Sequence, residues 1–62
     1  METIKYAIKK GNMYLTERAG YSKDIDKADL VDKNLAEYRI KIWPIKNAKP
    51  VPIRERYTRE EV

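Results

Sequence analysis

The chain has 62 residues, which is enough for one small domain, and such a domain buries only about 60% of the surface that its unfolded form exposes. It contains no cysteine and no histidine, so disulfides, thiolate nucleophiles, imidazole bases and the common zinc sites are excluded. Fourteen Lys and Arg residues against ten Asp and Glu residues give a formal net charge of +4. The cations dominate residues 1–20 and 38–62, on either side of an acidic middle, a polarity that suits acidic or anionic partners.

No apolar run approaches the roughly 20 residues that a membrane span requires, and no signal-peptide core follows Met1. We therefore expect a cytoplasmic protein without a membrane partner. If the chain is encoded by a phage, that cytoplasm is the host cell's.

The first segment, TIKYAIKKGNMYLTE, predicts a β-hairpin. Ile4, Tyr6 and Ile8 alternate with polar or small residues, the period of two that is typical of a half-buried strand. Gly11 and Asn12 tolerate the positive φ that a two-residue turn requires. Pairing Lys10 with Met13 would bring the apolar side chains of both strands onto one face, which we expect to be the core; these are Ile4, Tyr6, Ile8, Met13 and Leu15.

The acidic middle has a helical period. Apolar residues recur every three or four positions on one stripe, which predicts a helix capped by Ser22 or Asp24; they are Ile25, Ala28, Val31, Leu35 and Tyr38. An alternative is a short helical turn over 24–28 and a second helix capped by Asp32, joined by an extended link over 28–31. We favour helix for much of the segment.

The stretch RIKIWPIK alternates again and predicts a third strand. Tyr38, Ile40 and Ile42 would join the apolar face of the hairpin, and Pro44, which lacks an amide donor, would mark the end of the strand. These elements predict an α+β fold, in which one helical segment packs on one face of a small antiparallel sheet.

The prolines Pro50 and Pro52 favour extended geometry and are followed by a charge-dense end. We therefore expect residues 1–46 to form the α+β domain and residues 47–62 to form an extended C-terminal arm.

Catalysis has few candidate residues. Without His or Cys, no conventional nucleophile and base pair is available, and two glycines are too few for a phosphate-binding loop. Asp24, Asp26 and Asp29 would spread around a helix as a solvated face and do not match a calcium loop. We expect a protein that is not an enzyme and has no cofactor and no metal.

Binding is better supported, because the outer face of the predicted sheet interleaves cations with aromatic residues: Lys5, Lys9, Tyr14, Arg39, Lys41 and Trp43. Arg54, Arg56 and Tyr57 on the arm form a second candidate set. Such a face suits an acidic protein surface, where Trp, Tyr and Arg are the usual anchors of affinity. It also suits nucleic acid, which is the alternative, and Trp43 could instead lie under the arm. A third possibility is a homo-oligomer, such as a homodimer, with exchanged arms.

The segments KYAIKKGNMYLT, DIDKADLVD and IWPI together resemble short proteins encoded by phages and prophages of Gram-positive bacteria. The resemblance covers about residues 4–45 and consists mainly of hairpin and core residues. It implies a small accessory protein that binds and blocks a host protein, including host defence nucleases of the CRISPR type, in the manner of an anti-CRISPR inhibitor. No functional residue is carried over, because the family pattern defines none.

Overall fold

The computed structural model describes residues 3–18, 20–42 and 46–62. Its elements in chain order are β1 (Thr3–Lys10), β2 (Met13–Leu15), β3 (Tyr21–Ser22), a single 3-10 turn (Ile25–Lys27), α1 (Lys33–Ile42), β4 (Ala48–Glu55) and β5 (Arg59–Glu61). The strands form one antiparallel sheet in the order β3-β2-β1-β4-β5. The predicted α+β class, with one helix and a small antiparallel sheet, is confirmed.

The hairpin forms in the expected register. Lys10 pairs with Met13, and Lys9 pairs with Tyr14. Gly11 has a φ of 62°, in the left-handed region that two-residue hairpin turns use, so turn chemistry and strand pairing agree at this site.

The acidic middle takes the alternative form of two short helical pieces, the 3-10 turn and the start of α1, in place of a single helix. The side chain of Asp24 accepts a hydrogen bond from the amide of Asp26 at 3.0 Å, and Oδ1 of Asp32 accepts one from the amide of Leu35 at 2.7 Å. Between these caps, the link over 28–31 is extended, because its backbone is held by the sheet. Val31 and Tyr6 exchange two backbone hydrogen bonds of 2.7 and 2.8 Å.

The predicted third strand is also wrong, because Tyr38, Ile40 and Ile42 belong to α1. The edge of β1 that this strand would have filled is occupied by β4 instead. The proposed strand end at Pro44 lies outside the described residues.

The segment predicted as an extended arm is extended, but it is part of the sheet. β4 pairs with all eight residues of β1, from Thr3 opposite Glu55 to Lys10 opposite Ala48. The expected boundary between residues 46 and 47 would cut through this sheet, because β4 pairs with β1 and β5 pairs with β4. The interpretation of residues 47–62 as an arm is therefore corrected.

The prolines fit this strand because of the direction in which their nitrogens point. Tyr6, which lies opposite Pro52, uses its backbone amide and carbonyl to bond Val31 on the other side of β1. The nitrogen of Pro52 consequently points away from β1, as does that of Pro50 two residues earlier. No β1–β4 hydrogen bond is lost, which is the condition under which proline is tolerated in a strand.

Both faces of the sheet are covered. On the first face, a buried cluster contains Ala7, Tyr14, Val51 and Ile53, and it is closed by Ala28 with Ile25 and Leu30 from the turn and the link. This face is the one predicted to be the outer surface, so that prediction is corrected: Ala7 and Ile53 are fully buried there.

On the opposite face, Ile8 is 1% exposed, and α1 contacts β1 and β4. Ala28 and Leu30 point to the first face, so Asp29 between them points to the second, where it bonds Arg39 of α1. This contact places α1 on the Ile8 face, with Ala36 as its fully buried residue. Ile4, which was predicted to be core, is 46% exposed at the end of this face.

Candidate functional site

Two of the predicted binding residues, Lys9 and Tyr14, form a network with Glu61. The ammonium of Lys9 donates to Oε2 of Glu61 at 2.8 Å, and the hydroxyl of Tyr14 donates to the same oxygen at 2.9 Å. The Lys9 nitrogen also lies 5.4 Å from the centre of the Tyr14 ring. The Tyr14 ring is buried, and the Lys9 ammonium and the Tyr14 hydroxyl both donate to Glu61. The network therefore connects β5 to β1 and β2 and offers little for a ligand to bind.

The network shifts the pKa values of its members. The hydrogen bond from Lys9 holds the pKa of the Glu61 carboxyl below its usual value of 4.5. The hydrogen bond to Glu61 raises the pKa of Lys9, and burial, together with the bond to Glu61, raises the pKa of Tyr14. Each shift favours the charge state that the network needs, a carboxylate beside an ammonium and a neutral phenol.

The remaining sheet residues of the predicted sites lie apart. Lys5 is exposed on the first face, and Arg54 lies on the opposite face with Nη1 3.8 Å from Oε1 of Glu60. Arg56 and Tyr57 lie in the turn between β4 and β5, where the Tyr57 side chain is fully exposed. That Arg54, Arg56 and Tyr57 act together as a contact set stays a prediction.

Arg39 and Lys41 lie on α1, which packs on the face of the sheet opposite to Tyr14. Nη1 of Arg39 donates to Oδ2 of Asp29 at 2.6 Å, and Lys41 is exposed. Trp43, which the interleaved pattern placed at the centre of the face, lies outside the described residues. Since Tyr14 and Arg39 are on opposite faces of the sheet, the structure does not assemble the predicted binding face.

The structure instead shows an apolar surface on the outside of α1, which we call the α1 stripe: Leu35, Tyr38 and Ile42. Their exposed fractions are 38%, 57% and 48%. A spacing of three and then four residues puts them on one side of the helix, displaced from the side that buries Ala36. Together with Arg39 they line an apolar hollow of about 210 Å³.

The sequence analysis did not predict the α1 stripe, because the period-two alternation predicted a strand with Tyr38 and Ile42 facing the core. The signal was nevertheless in the sequence. Read as a helix from Asp32, the segment KNLAEYRIKI has two apolar arcs, one through Ala36 and Ile40 and another through the α1 stripe. A helix on a sheet can bury one such arc, so the second is left at the surface.

Two further concavities lie elsewhere on the surface, and side chains beside each of them make contacts within the protein. A groove of about 550 Å³ lies between Thr16 and Arg59, and the Arg59 guanidinium there donates to backbone carbonyls of the 3-10 turn and the link. An open hollow of about 300 Å³ beside Met13 is flanked by Lys10, whose ammonium lies 5.3 Å from the centre of the Tyr21 ring.

The described part of the chain contains no group of three or more carboxylates placed to hold a metal ion. It also contains no helix long and apolar enough to cross a membrane.

Comparison of the chain with protein-family models, with curated proteins and with solved structures finds no significant match. The class of protein is therefore defined by the fold and surface alone: a small α+β domain that carries an exposed apolar helix face.

Proposed function

We propose that this chain is a non-catalytic protein-binding domain whose contact surface is the α1 stripe, and that its partner is an acidic surface on another protein. The observation that carries this proposal is the apolar hollow that Leu35, Tyr38 and Ile42 line on α1. Contiguous apolar surface of this kind marks interaction sites when it is rimmed by polar residues.

The apolar side chains supply the affinity. Tyr is among the residues that dominate binding energies, and Leu and Ile beside it exclude water from the contact. A partner that covers the α1 stripe would recover part of the burial that so small a domain lacks.

The charges around the α1 stripe favour an acidic partner over a second copy of the chain. Lys41 lies beside the stripe on the solvent side, and it forms no ion pair within the described residues. A second copy would bring the same Lys41 to the contact, and each chain carries a formal net charge of +4. An acidic surface would instead be attracted, which raises the association rate and selects the partner.

The resemblance to phage-encoded proteins implies that the partner is a host protein, and that implication stays a prediction. Direct nucleic-acid binding is less well supported, because Tyr14, which was expected to stack on bases, is buried and hydrogen-bonded to Glu61. Arm exchange is less well supported too, since β4 pairs with β1 of its own chain.

A selection from a displayed random peptide library tests the proposal. We expect enriched peptides that combine apolar residues at helical spacing with Asp or Glu, and that bind the Leu35→Ser and Tyr38→Ser variants at least about tenfold more weakly. Tyr57→Ser is the matched control, because Tyr57 is fully exposed and lies away from the α1 stripe.

Three results would overturn the proposal. The first is the absence of any peptide whose binding depends on Tyr38. The second is a dimer, detected by sedimentation, that Tyr38→Ser dissociates, since the α1 stripe would then be occupied by a second copy. The third is salt-sensitive binding of oligonucleotides through Lys41 with no Tyr38-dependent peptide.

A further inference from the structure

We infer that the α1 stripe binds an α-helix of the partner, and that one apolar side chain of that helix enters the hollow on α1. This inference rests on the proposed function and names the structural element and the side chain that the site recognises. It follows from the spacing and the chemistry of the four residues that line the hollow: Leu35, Tyr38, Arg39 and Ile42.

The lining residues have the spacing of a site for helix packing. Counted from Leu35, they stand at positions i, i+3, i+4 and i+7 of α1, so successive turns of the helix place them around one depression. When two helices pack as a coiled coil, four residues of one helix form such a hole, and one side chain of the other helix, the knob, inserts into it. The α1 stripe supplies the apolar seam, and Arg39 lies beside it.

The lining of the hollow is entirely apolar. Arg39 therefore lines it with carbon atoms, while the guanidinium is directed to Asp29, where Nη1 donates to Oδ2 at 2.6 Å. Arginines beside a coiled-coil seam commonly cover apolar surface with their methylene groups and keep the charge elsewhere. The ion pair with Asp29 thus positions the methylene groups of Arg39 as one wall of the hollow.

The same lining selects the knob. A hydroxyl or an amide that entered the hollow would lose its water and find no hydrogen-bonding partner there, so the knob is an aliphatic or phenyl side chain. The size agrees with this chemistry. A cavity of about 150 Å³ lined by apolar residues holds benzene, and the hollow of about 210 Å³ holds one side chain of comparable size, such as Leu, Ile, Met or Phe.

The carboxylates of the partner then lie outside the hollow. Lys41 is exposed on the side of the seam opposite to Arg39, at a position that forms salt bridges between paired helices. Asp or Glu three or four residues from the knob would lie at this rim. The helix of a second copy would bring Lys41 in place of these carboxylates, so a helix of an acidic partner is favoured over self-association.

Substitutions in a peptide that is enriched against the intact protein and depends on Tyr38 test the inference. Each apolar residue of the peptide is replaced in turn by Ala, and we expect one residue, the knob, whose replacement weakens binding at least about tenfold. Proline at a central position outside the contact should abolish binding, and Ala at the same position should preserve it, because proline interrupts a helix.

Two substitutions of Arg39 separate its methylene groups from its charge. Both Arg39→Met and Arg39→Ala lose the bond to Asp29, so a difference between them reports the wall and not the ion pair. Arg39→Met keeps an unbranched apolar side chain and should retain binding within about threefold, whereas Arg39→Ala should weaken it about tenfold. The peptide substitutions leave the protein unchanged and decide the question if either variant is unstable.

The possible failures are distinguishable. Tyr38-dependent peptides that tolerate the proline, or that contain no single knob residue, would overturn the inference and leave the proposed function standing. Equal weakening by Arg39→Met and Arg39→Ala would overturn the role assigned to the methylene groups. The absence of Tyr38-dependent peptides, or a dimer that Tyr38→Ser dissociates, would overturn both the inference and the proposed function.

Discussion

Tyr14 on β2 and Glu61 on β5 are joined by a 2.9 Å hydrogen bond across the two strands that separate them, β1 and β4. Three strand spacings are about 14 Å, so the contact forms only because the two side chains extend toward each other over the sheet. Ala7 and Val51 on the intervening strands are small or medium-sized, and they are buried in the same cluster as the Tyr14 ring. The last strand of the chain is thereby fastened to the second.

Removal of the Tyr14 hydroxyl is expected to destabilise the fold. Tyr14→Phe keeps the ring and deletes the hydrogen bond to Glu61, so we expect the free energy of unfolding to fall by about 1 kcal/mol in chemical denaturation. Tyr6→Phe is the matched control, because the half-buried Tyr6 makes no side-chain hydrogen bond within the described residues. Equal effects of the two substitutions would contradict the assigned role.

Acid is expected to weaken the same network. The pKa of Glu61 is lower in the folded chain than its ordinary value of 4.5, so the stabilisation by its carboxylate is complete above about pH 4.5. It is lost as the pH falls through the folded value, because protonation removes the charge that Lys9 and Tyr14 contact.

The measurement is the free energy of unfolding at about pH 6 and about pH 3, for the unmodified chain and for Glu61→Gln. We expect the substitution to destabilise the chain more at the higher pH than at the lower one, because the carboxylate is protonated progressively as the pH falls. Tyr57→Ser, at a fully exposed side chain outside the network, is the control and should have the same effect at both pH values. A constant effect of Glu61→Gln at both pH values would refute the linkage.

Arg59 is expected to hold the 3-10 turn and the link in place. Its Nη1 donates to the carbonyl of Asp26 at 3.0 Å, to that of Ala28 at 3.1 Å and to that of Ile25 at 3.3 Å, while Nε donates to Glu55 at 2.8 Å. Lysine cannot reproduce this fork, so Arg59→Lys should lower the free energy of unfolding by about 1–3 kcal/mol.

Hydrogen exchange offers a more local measurement of the same contact. In Arg59→Lys, the amides of Lys27 and Ala28, which bond within the 3-10 turn, should exchange faster than in the unmodified chain. Arg56→Lys, in the exposed turn between β4 and β5, is the control and should leave both amides unchanged. Unchanged protection in Arg59→Lys would show that the turn is stable without the guanidinium.

Local chemistry accounts for the parts of the fold that could be predicted. Gly11 and Asn12 close the hairpin because few residues accept the turn geometry, and Asp24 and Asp32 cap the turn and the helix because their carboxylates reach nearby amides. The α+β class followed from these signals, since each depends on neighbours within a few residues.

The sequence by itself determined where the hairpin turns, where the two helical pieces begin and that the last segment is extended. Only the tertiary structure decided that β4 lies beside β1, and this pairing removed the position that a third strand over 38–43 would have taken. The alternating apolar and basic residues over 38–42 fit either a strand or a helix with two apolar arcs. Because β4 occupies the edge of β1, the segment does not form a strand there, and the helix capped by Asp32 continues through it as α1. The α1 stripe is exposed for the same reason: which apolar arc a helix buries depends on contacts between residues that are far apart in the chain, and local spacing does not encode them.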